Sequence, residues 1–407
     1  MKTLFSSGKV FDGENAPVEG HGVLIEGGKV LRLAPEDEFA GFEGTRVDTA
    51  GGTLLPGLID CHVHLISDGD ADVGGALEKA PPGKLAMNIV CNALSSLAGG
   101  ITAVRDCGGK DFLELSVRDA VKDGKILGPT ILAAGQGICM TGGHGNPMAR
   151  IADGADEVVK AVREQIHAGA DLIKLMATGG VLTPGVDPQD AHYSAEELAA
   201  GIAEGHRFGR RSASHAQGSA GVLNAVLGGI DSVEHGIWLT EECITEMVKR
   251  GTYLVPTLAA ACNILAHKDE GIPPFVIEKC EQVAEIHRAS IAAFYKAGGK
   301  IAMGTDAGTP FNRHGENALE LLYMTEVGIT ALDALRFSTV KGADLMGLEA
   351  GGRIAEGMDA DLLIVEGDPA KDIRMVAERA NHRAVYKRGV KVIANGDVPQ
   401  AVAGVQE

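Results

Sequence analysis

Short apolar segments alternate with longer amphipathic stretches through most of this 407-residue chain, and this alternation restricts its fold more than any other feature. The stretches 156–168, 195–208 and 331–346 have helical periodicity, and the second opens on a capping-box pattern. Such alternation is typical of βα units that build a parallel sheet. Eight strands with helices between them predict a (β/α)8 barrel. We place these strands at 58–64, 102–106, 130–134, 172–177, 212–215, 232–235, 253–256 and 301–305.

The two ends of the chain have a different pattern from its middle. Residues 1–57 and 350–407 contain short β-type segments separated by glycine turns, for example at Gly27-Gly28 and at Gly389. Neither end alone would bury its apolar face. We therefore predict an α/β fold in which a (β/α)8 barrel of residues 58–349 carries a small β-sandwich domain built from the N- and C-terminal segments.

Charge and composition disfavour several classes of partner. The formal net charge of −18 would repel nucleic acid and an anionic membrane surface. No apolar run approaches the roughly 18 to 20 residues of a membrane-spanning helix. The seven cysteines are an odd number without a C-x-x-C pair, as expected of reduced thiols. Because the first eight residues also lack the apolar core of a secretory signal, we expect a cytoplasmic protein.

Side chains that can bind metals stand at or near the ends of five predicted strands. In (β/α)8 barrels, active sites form at the C-terminal ends of the strands, so these side chains should converge. Any one of the histidines alone is more simply a hydrogen-bonded core residue. Together they would form a buried set of unpaired polar groups, each costing about 1–3 kcal/mol, and bound metal ions would remove that cost. The residues are His62, His64, Lys174, His215, His235 and Asp306.

Lys174 is the most informative residue of this set because it lies inside an apolar strand. For an isolated strand lysine, a snorkelling side chain or one paired with a carboxylate is the simpler interpretation. Beside metal cations, however, burial and like charge both disfavour the ammonium form. A neutral amine can add carbon dioxide, and the two oxygens of the resulting carbamate can bridge two metals. We therefore predict that Lys174 is carboxylated.

These residues and their neighbours resemble the binuclear metal centre of the amidohydrolase superfamily. The resemblance covers Gly57-Leu58-Ile59-Asp60-Cys61-His62-Val63-His64 and Gly304-Thr305-Asp306-Ala307-Gly308, with Lys174, His215 and His235 between them. Segments 140–146, 177–180 and 193–197 resemble the prolidase-like branch of imidazolonepropionase-related zinc dipeptidases and carboxypeptidases, which includes ochratoxin-type amidases. The resemblance spans nearly the whole chain.

The resemblance implies two zinc ions, or similar divalent metals, that share a bridging hydroxide. His62, His64 and Asp306 would hold one ion, His215 and His235 the other, and carboxylated Lys174 would bridge both. Because a zinc-bound water has a pKa of about 7, no separate side-chain base is needed to form the nucleophile. Asp306 would take up the proton of the nucleophile and pass it to the leaving nitrogen.

Three residues are candidates for binding the substrate. His144 lies in a glycine-rich loop, where it would polarise the carbonyl or contact a carboxylate, unless it only caps its own loop. By resemblance, Tyr193 would bind the α-carboxylate, although a tyrosine that merely starts a helix is the alternative. Arg313 is a rival anion clamp, because a guanidinium binds a carboxylate with two hydrogen bonds. An apolar acyl group would fit Val181, Leu182, Phe311 and Trp238.

We therefore predict a binuclear zinc hydrolase that cleaves the amide bond of a small-molecule substrate. The resemblance favours an Xaa-Pro-like dipeptide with an apolar N-terminal residue, or an N-acyl amino acid, and implies a homo-oligomer. An imidazolonepropionase-like cyclic amide hydrolase or a deaminase would use the same metal site. A non-catalytic scaffold is less favoured, because all six ligand positions are present.

Overall fold

The computed structural model describes residues 2–397, and residue 1 and residues 398–407, at the two ends of the predicted terminal domain, lie outside the described residues. The strands are β1 Lys2–Ser6, β2 Lys9–Val10, β3 Val18–Glu19, β4 His21–Glu26, β5 Lys29–Pro35, β6 Thr45–Asp48, β7 Thr53–Pro56, β8 Leu58–Val63, β9 Ile101–Asp106, β10 Thr130–Ala133, β11 Ile138–Cys139, β12 Arg150–Ile151, β13 Leu172–Met176, β14 Arg211–Ala216, β15 Ser232–His235, β16 Tyr253–Val255, β17 Leu362–Val365, β18 His382–Lys387 and β19 Val390–Ala394.

Helices occupy most of the stretches between the barrel strands. The α-helices are α1 Val73–Lys79, α2 Pro82–Ala98, α3 Leu113–Lys122, α4 Ala155–Ala168, α5 Ala195–Arg207, α6 Ser219–Gly228, α7 Glu241–Arg250, α8 Leu258–Ala266, α9 Pro274–Lys296, α10 Leu319–Glu326, α11 Ala331–Phe337, α12 Val340–Met346 and α13 Arg374–Ala377, and short 3-10 turns cover Glu36–Phe39 and Arg379–Asn381. None of the helices in the described part is both long and apolar enough to cross a lipid bilayer.

The chain divides into two compact units. The first contains the residues up to Asp60, Leu94–Ala103 and the residues from Gly315 onward, and the second contains Cys61–Ala93 and Val104–His314. The division passes through β8 and β9. The boundaries that the sequence predicts, at 57/58 and 349/350, remain predictions.

The first unit contains two sheets built from both ends of the chain. One sheet has the order β5-β4-β1-β6, and the other has the order β19-β18-β17-β7-β2-β3. In the second sheet, the C-terminal strand β17 pairs antiparallel with the N-terminal strand β7. Phe5 and Val23 from the first sheet share one apolar core with Leu54, Ile364 and Tyr386 from the second. The two sheets therefore form a sandwich whose core neither end of the chain makes alone.

The barrel strands follow one another in chain order. Strands β8, β9 and β10 form one sheet, and β13 to β16 form a parallel series in another. The Asp171 amide donates to the Ala133 carbonyl at 2.8 Å, which joins β10 to β13. Residues 301–305 supply the eighth segment through a parallel bridge between Leu254 and Ile301 and a 2.8 Å hydrogen bond from the Cys61 amide to the Met303 carbonyl. The predicted (β/α)8 barrel with an added β-sandwich is confirmed.

The helices agree with the sequence pattern except at one place. Ser194 and Glu197 form the predicted capping box at the start of α5. The predicted helix at 331–346 is instead two helices, α11 and α12, because the chain turns at Thr339 with φ −130° and ψ −97°. The hydroxyls of Ser338 and Thr339 both donate to the Leu335 carbonyl. Hydroxyl groups that bond the backbone locally compete with continuation of a helix, so the single-helix prediction was wrong here.

Candidate metal centre

Six polar side chains from the C-terminal ends of the barrel strands lie together in the second unit. Nε2 of His62 lies 3.4 Å from both Nζ of Lys174 and Oδ1 of Asp306, and Nε2 of His64 lies 3.3 Å from the same Asp306 oxygen. These contacts join residues that are up to 244 positions apart in the chain. The set consists of His62 at the end of β8, His64 just after it, Lys174 in β13, His215 in β14, His235 at the end of β15, and Asp306 after the eighth segment.

Two of these residues have a backbone conformation that only a well-packed surrounding can hold. His235 has φ 73° and Asp306 has φ 58°, both in the left-handed region that non-glycine residues rarely adopt. Such strain is characteristic of functional sites, where packing over-determines the local conformation. A Cβ atom on Gly304 would lie only 2.3 Å from Cγ1 of Val255 and 2.9 Å from Cβ of His62, so glycine is required there. The backbone at these strand ends is therefore shaped to bring side chains together.

Each of the four imidazoles has one ring nitrogen hydrogen-bonded to a partner in the protein. Such a bond fixes the orientation of the ring and selects which nitrogen carries the proton, as is usual for metal-binding histidines. Nδ1 of His62 is 2.7 Å from Oε2 of Glu234, Nδ1 of His64 is 2.8 Å from the Gly108 carbonyl, Nδ1 of His235 is 2.7 Å from Oγ1 of Thr257, and Nε2 of His215 is 2.8 Å from the Gly179 carbonyl. The opposite nitrogens of His62 and His64 both lie within 3.4 Å of Oδ1 of Asp306.

Glu234 and Arg105 form a buried ion pair behind His62. Nη2 of Arg105 donates to Oε1 of Glu234 at 2.8 Å, while Oε2 accepts from His62. Arg105 also donates to the Cys61 carbonyl at 2.5 Å and to Oγ of Ser232 at 3.0 Å. Both side chains are almost wholly buried, so the loss of either would leave its partner without a counter-charge. Through its second oxygen, Glu234 orients His62.

The burial of the site favours neutral imidazoles at His62, His215 and His235, whereas Asp306 raises the pKa of His64. Burial lowers the pKa of His235 to about 3, and it lowers the pKa of His62 and His215 well below the ordinary histidine value. Burial alone would raise the pKa of Asp306, but the imidazoles of His62 and His64 lower it below its ordinary value. Neutral imidazole and carboxylate are the forms that bind divalent metals.

The donor set of this cluster fits a divalent metal centre. The ligand atoms of His62, His235 and Asp306 all lie within 4.8 Å of one another, which is close enough for metal binding. Lys174 is 1% exposed, and among the described residues no carboxylate forms an ion pair with it. A buried ammonium without a counter-ion is costly, whereas a carbamate on the same nitrogen would be an anionic ligand. Imidazole and carboxylate ligands are typical of zinc.

His144 is the one predicted substrate-binding residue that the structure places at the cluster. Its ring lies 4.2 Å from that of His215, centroid to centroid, and it lines the same cavity. Nδ1 of His144 lies 2.8 Å from Oγ1 of Thr183. Burial lowers the pKa of His144 to about 3, so the ring is neutral near pH 7. A neutral imidazole can donate one hydrogen bond to a substrate oxygen.

The structure does not bring Tyr193 or Arg313 to the cluster, and the substrate contacts predicted for them stay predictions. The hydroxyl of Tyr193 donates to the Ala152 carbonyl at 2.7 Å, and the side chain is 2% exposed within the core. Arg313 is exposed to solvent. Neither side chain lines the cavity that contains the cluster. Tyr193 is therefore a core residue whose hydroxyl bonds the backbone, and Arg313 is solvated.

A cavity of about 450 Å³ extends from the cluster and has two unlike ends. One end is the polar cluster, and the other is lined by apolar side chains such as Val181, Leu182, Ile264, Phe275 and Val276. Among the described residues that line it, Lys174 is the single lysine and no arginine is present. Of the four apolar residues predicted to meet an acyl group, Val181 and Leu182 line the cavity, whereas Phe311 and Trp238 do not.

Several residues of the site were not predicted from the sequence. Gln217 lines the cavity two positions after His215, is 5% exposed, and its Oε1 atom has no partner among the described residues. Its position after a strand end was the available signal, because residues there face the active site in this fold. Glu234 and Arg105 lie inside β15 and β9, where a buried charged residue is itself a signal of a partner.

Comparison with known proteins assigns the family. Residues 53–392 match the amidohydrolase family. Ochratoxinase from Aspergillus niger is 30% identical over 419 residues, which cover 95% of this chain and 86% of that protein. A crystal structure of a Xaa-Pro dipeptidase with bound methionine has 32% identity and a TM-score of 0.88, covering 96% of this chain and 99% of that one. A prolidase complexed with N-methylphosphonate-L-proline has 31% identity and a TM-score of 0.89, covering 97% of this chain and all of that one (100%). The chain belongs to the amidohydrolase family and is a hydrolase that acts on C–N bonds.

Proposed function

We propose that this protein is a binuclear metal-dependent hydrolase that releases an amino acid from an Xaa-Pro-like dipeptide or an N-acyl amino acid. The observation that carries the proposal is the cluster itself: four oriented imidazoles, a buried lysine and Asp306 at the polar end of a cavity with an apolar far end. A non-catalytic scaffold has no need for such a set of aligned, buried polar groups, because each costs stability when unused.

In this proposal, His62, His64 and Asp306 would hold one zinc ion, His215 and His235 would hold the other, and carboxylated Lys174 would be a ligand of both. The bound ions would act as Lewis acids on the substrate carbonyl and lower the pKa of water to near neutrality. The chain's own acid–base group is Asp306, whose carboxylate contacts His62 and His64 and faces the cavity. This carboxylate would accept the proton of the nucleophile and pass it to the departing nitrogen.

The cavity supports a substrate with an apolar acyl side and a polar amino-acid side. The apolar side chains of Val181, Leu182 and Phe275 suit the acyl part, whose burial would contribute about 25 cal/mol for each Å² removed from water. Because no arginine is among the described residues that line the cavity, we assign the hydrogen bonds to the substrate carbonyl or carboxylate to His144 and to the amide of Gln217. The similar Xaa-Pro dipeptidase has methionine bound in its active site, and the similar prolidase is complexed with N-methylphosphonate-L-proline. Both ligands support the same substrate class.

Location and assembly are further parts of the proposal. Seven free cysteines fit a reducing compartment, and we therefore propose that the protein acts in the cytoplasm. We also propose a homo-oligomer, which rests on the family resemblance alone. Sedimentation of the purified protein would measure the oligomeric state.

The decisive experiment is a screen of Xaa-Pro dipeptides and N-acyl amino acids with release of the free amino acid as the readout. Wild-type protein should release the C-terminal residue, preferring apolar acyl groups, and contain about two divalent ions per chain. Lys174→Met, which retains the stem but cannot form a carbamate, should lose both metal and turnover. Normal metal content in Lys174→Met would contradict the bridging role of this lysine.

The same preparation distinguishes the other hydrolase reactions. Release of ammonia from aminated heterocycles, or opening of a cyclic amide, without dipeptide cleavage would replace the peptidase proposal with a deaminase or an imidazolonepropionase-like enzyme. Protein purified without chelator that holds no metal and hydrolyses none of these compounds would instead support a scaffold.

A further inference from the structure

The wall of the cavity beside His144 is a segment without regular secondary structure. Between β13 and α5, residues 179–190 contain only turns and bends. Val181, Leu182 and Thr183 of this segment line the cavity, and Val181 and Leu182 pack against an apolar cluster that includes Ile264 and Val276. A wall of irregular backbone has no ladder of hydrogen bonds to hold its shape, so its position must depend on other contacts.

One lysine supplies such contacts from the neighbouring helix. Lys279 lies on α9, and its Nζ atom donates to the carbonyls of Gly180 at 3.2 Å, Thr183 at 2.7 Å and Val186 at 2.6 Å. An ammonium group has three hydrogens, so all of its donors are used on this one segment. Hydrogen bonds from a charged donor are roughly twice as strong as those between neutral groups.

The segment that Lys279 holds also contacts the side chain of His144. A Cβ atom on Gly180 would lie 2.5 Å from Cε1 of His144, so the ring packs directly against that glycine. Oγ1 of Thr183 accepts from the Gly145 amide at 3.1 Å and lies 2.8 Å from Nδ1 of His144. A Thr183 hydroxyl that donates to Nδ1 would leave the proton of a neutral His144 on Nε2. That arrangement makes His144 a donor at its other nitrogen.

We propose that Lys279 is a positioning residue, which pins residues 180–186 to α9 and thereby sets both the orientation of His144 and the width of the apolar end of the cavity. It acts through backbone carbonyls and touches no substrate. Its effect on turnover rests on the proposed function, in which His144 contacts the substrate oxygen. Its effect on the segment does not, because the three hydrogen bonds hold the backbone whatever reaction the site performs.

Hydrogen exchange tests, independently of activity, whether Lys279 holds residues 180–186 in place. In the full-length protein, Lys279→Met should speed amide exchange in residues 179–190 by about tenfold or more, because local opening no longer breaks three charge-assisted hydrogen bonds. Lys296→Met is the matched control: it removes the same charge from the exposed end of the same helix and should exchange like wild type. Wild-type exchange of residues 179–190 in Lys279→Met would overturn the proposal.

Kinetics test the connection to His144. Lys279→Met should lower kcat/KM by about tenfold, because residues 180–186 and the ring of His144 both lose their fixed position. The ratio of kcat/KM between substrates with large and small acyl groups should also move closer to one. Thr183→Val keeps the carbonyl that Lys279 binds but removes the hydroxyl, so it should lower kcat while residues 179–190 exchange at the wild-type rate. Thr183→Ser should restore kcat.

The outcomes separate the two proposals. Faster exchange with unchanged kcat/KM and unchanged acyl preference would overturn the positioning role. If the wild-type protein hydrolyses no amide substrate, the proposed function fails, and the exchange measurement still decides whether Lys279 pins the wall. If Lys279→Met does not fold, Lys279→Gln, which retains two donors on a shorter side chain, replaces it in both measurements, with an intermediate effect expected.

Discussion

The polar and apolar ends of the cavity are held together by different kinds of interaction. At the polar end, His62 is bonded to Glu234 and Glu234 to Arg105, with distances of 2.7 and 2.8 Å. At the apolar end, the side chains of Ile264, Val276 and their neighbours meet through apolar packing. Hydrogen bonds and ion pairs are directional, whereas dispersion and the hydrophobic effect depend on contact area.

This difference teaches which properties of the enzyme are rigid and which are adjustable. A change of one atom at the polar end leaves a buried charge or donor without its partner, at a cost of several kcal/mol. A change at the apolar end alters volume by a few methylene groups, and each group is worth about 0.8 kcal/mol. Substitutions at the polar end should therefore cause large losses of activity, whereas substitutions at the apolar end should change the substrate preference gradually.

The largest effect is expected at Asp306. Asp306→Asn retains the size of the side chain and one potential ligand oxygen, but it cannot accept a proton. Turnover should fall by about 10²–10⁴-fold while much of the metal is retained, as measured by steady-state kinetics and elemental analysis. Turnover close to that of wild type would exclude Asp306 as the proton shuttle.

The next largest effect is expected at Glu234. Glu234→Gln removes the charge that orients His62 and should weaken metal binding by about 10–100-fold, as measured by competition with a chelator. Glu246→Gln, at a surface ion pair, is the control and should bind metal normally.

Destabilisation can be separated from positioning with a double variant. Glu234→Gln alone leaves Arg105 as an uncompensated buried charge, so the thermal midpoint should also fall. Arg105→Met combined with Glu234→Gln removes that charge and should regain part of the stability without regaining metal affinity. If affinity returns together with stability, Glu234 serves the fold and not the metal site.

A smaller and selective effect is expected at the apolar end. Phe275→Ala enlarges the cavity and should lower kcat/KM for large acyl groups by about tenfold, because apolar pocket contacts discriminate by about 1–3 kcal/mol. The value for a small acyl group should change little, and the metal content should not change. An equal loss for both substrates would show that the two ends of the cavity are not independent.

The smallest effect is expected at Tyr193. Tyr193→Phe removes the hydrogen bond to the Ala152 carbonyl and should lower the free energy of unfolding by about 1 kcal/mol. KM should stay at the wild-type value, because the ring does not line the cavity. A large rise in KM with unchanged stability would restore the carboxylate contact that the sequence predicted.

Local sequence pattern predicted which polar side chains lie together, because in a barrel the position of a residue at the end of a strand places it at one common cavity. His215, His235 and Asp306 each stand where a strand ends, and the ends of parallel barrel strands open on one cavity. The two-residue spacing of His62 and His64 put both rings on one face of β8. These rules depend only on the residues of a single strand, so they can be applied to the sequence without knowing its tertiary contacts.

The partners of those residues could not be predicted in the same way. Glu234 meets His62 across 172 positions of sequence, and Lys279 reaches Gly180 across 99. Such contacts depend on register, helix rotation and side-chain rotamer, none of which periodicity specifies. For Tyr193 the motif predicted a substrate contact, whereas the structure shows a hydrogen bond from its hydroxyl to the Ala152 carbonyl, 41 positions away in the chain.

The amino-acid sequence by itself determined the order of strands and helices, the barrel, and the six polar residues at its strand ends, because periodicity and spacing are local properties of the chain. Only the tertiary structure decided which buried partner orients each imidazole, which side chains form the apolar end, and that Lys279 holds the wall beside His144. Those outcomes depend on distances of a few tenths of an ångström between distant segments, and hydrogen-bond and packing energies change steeply over such distances.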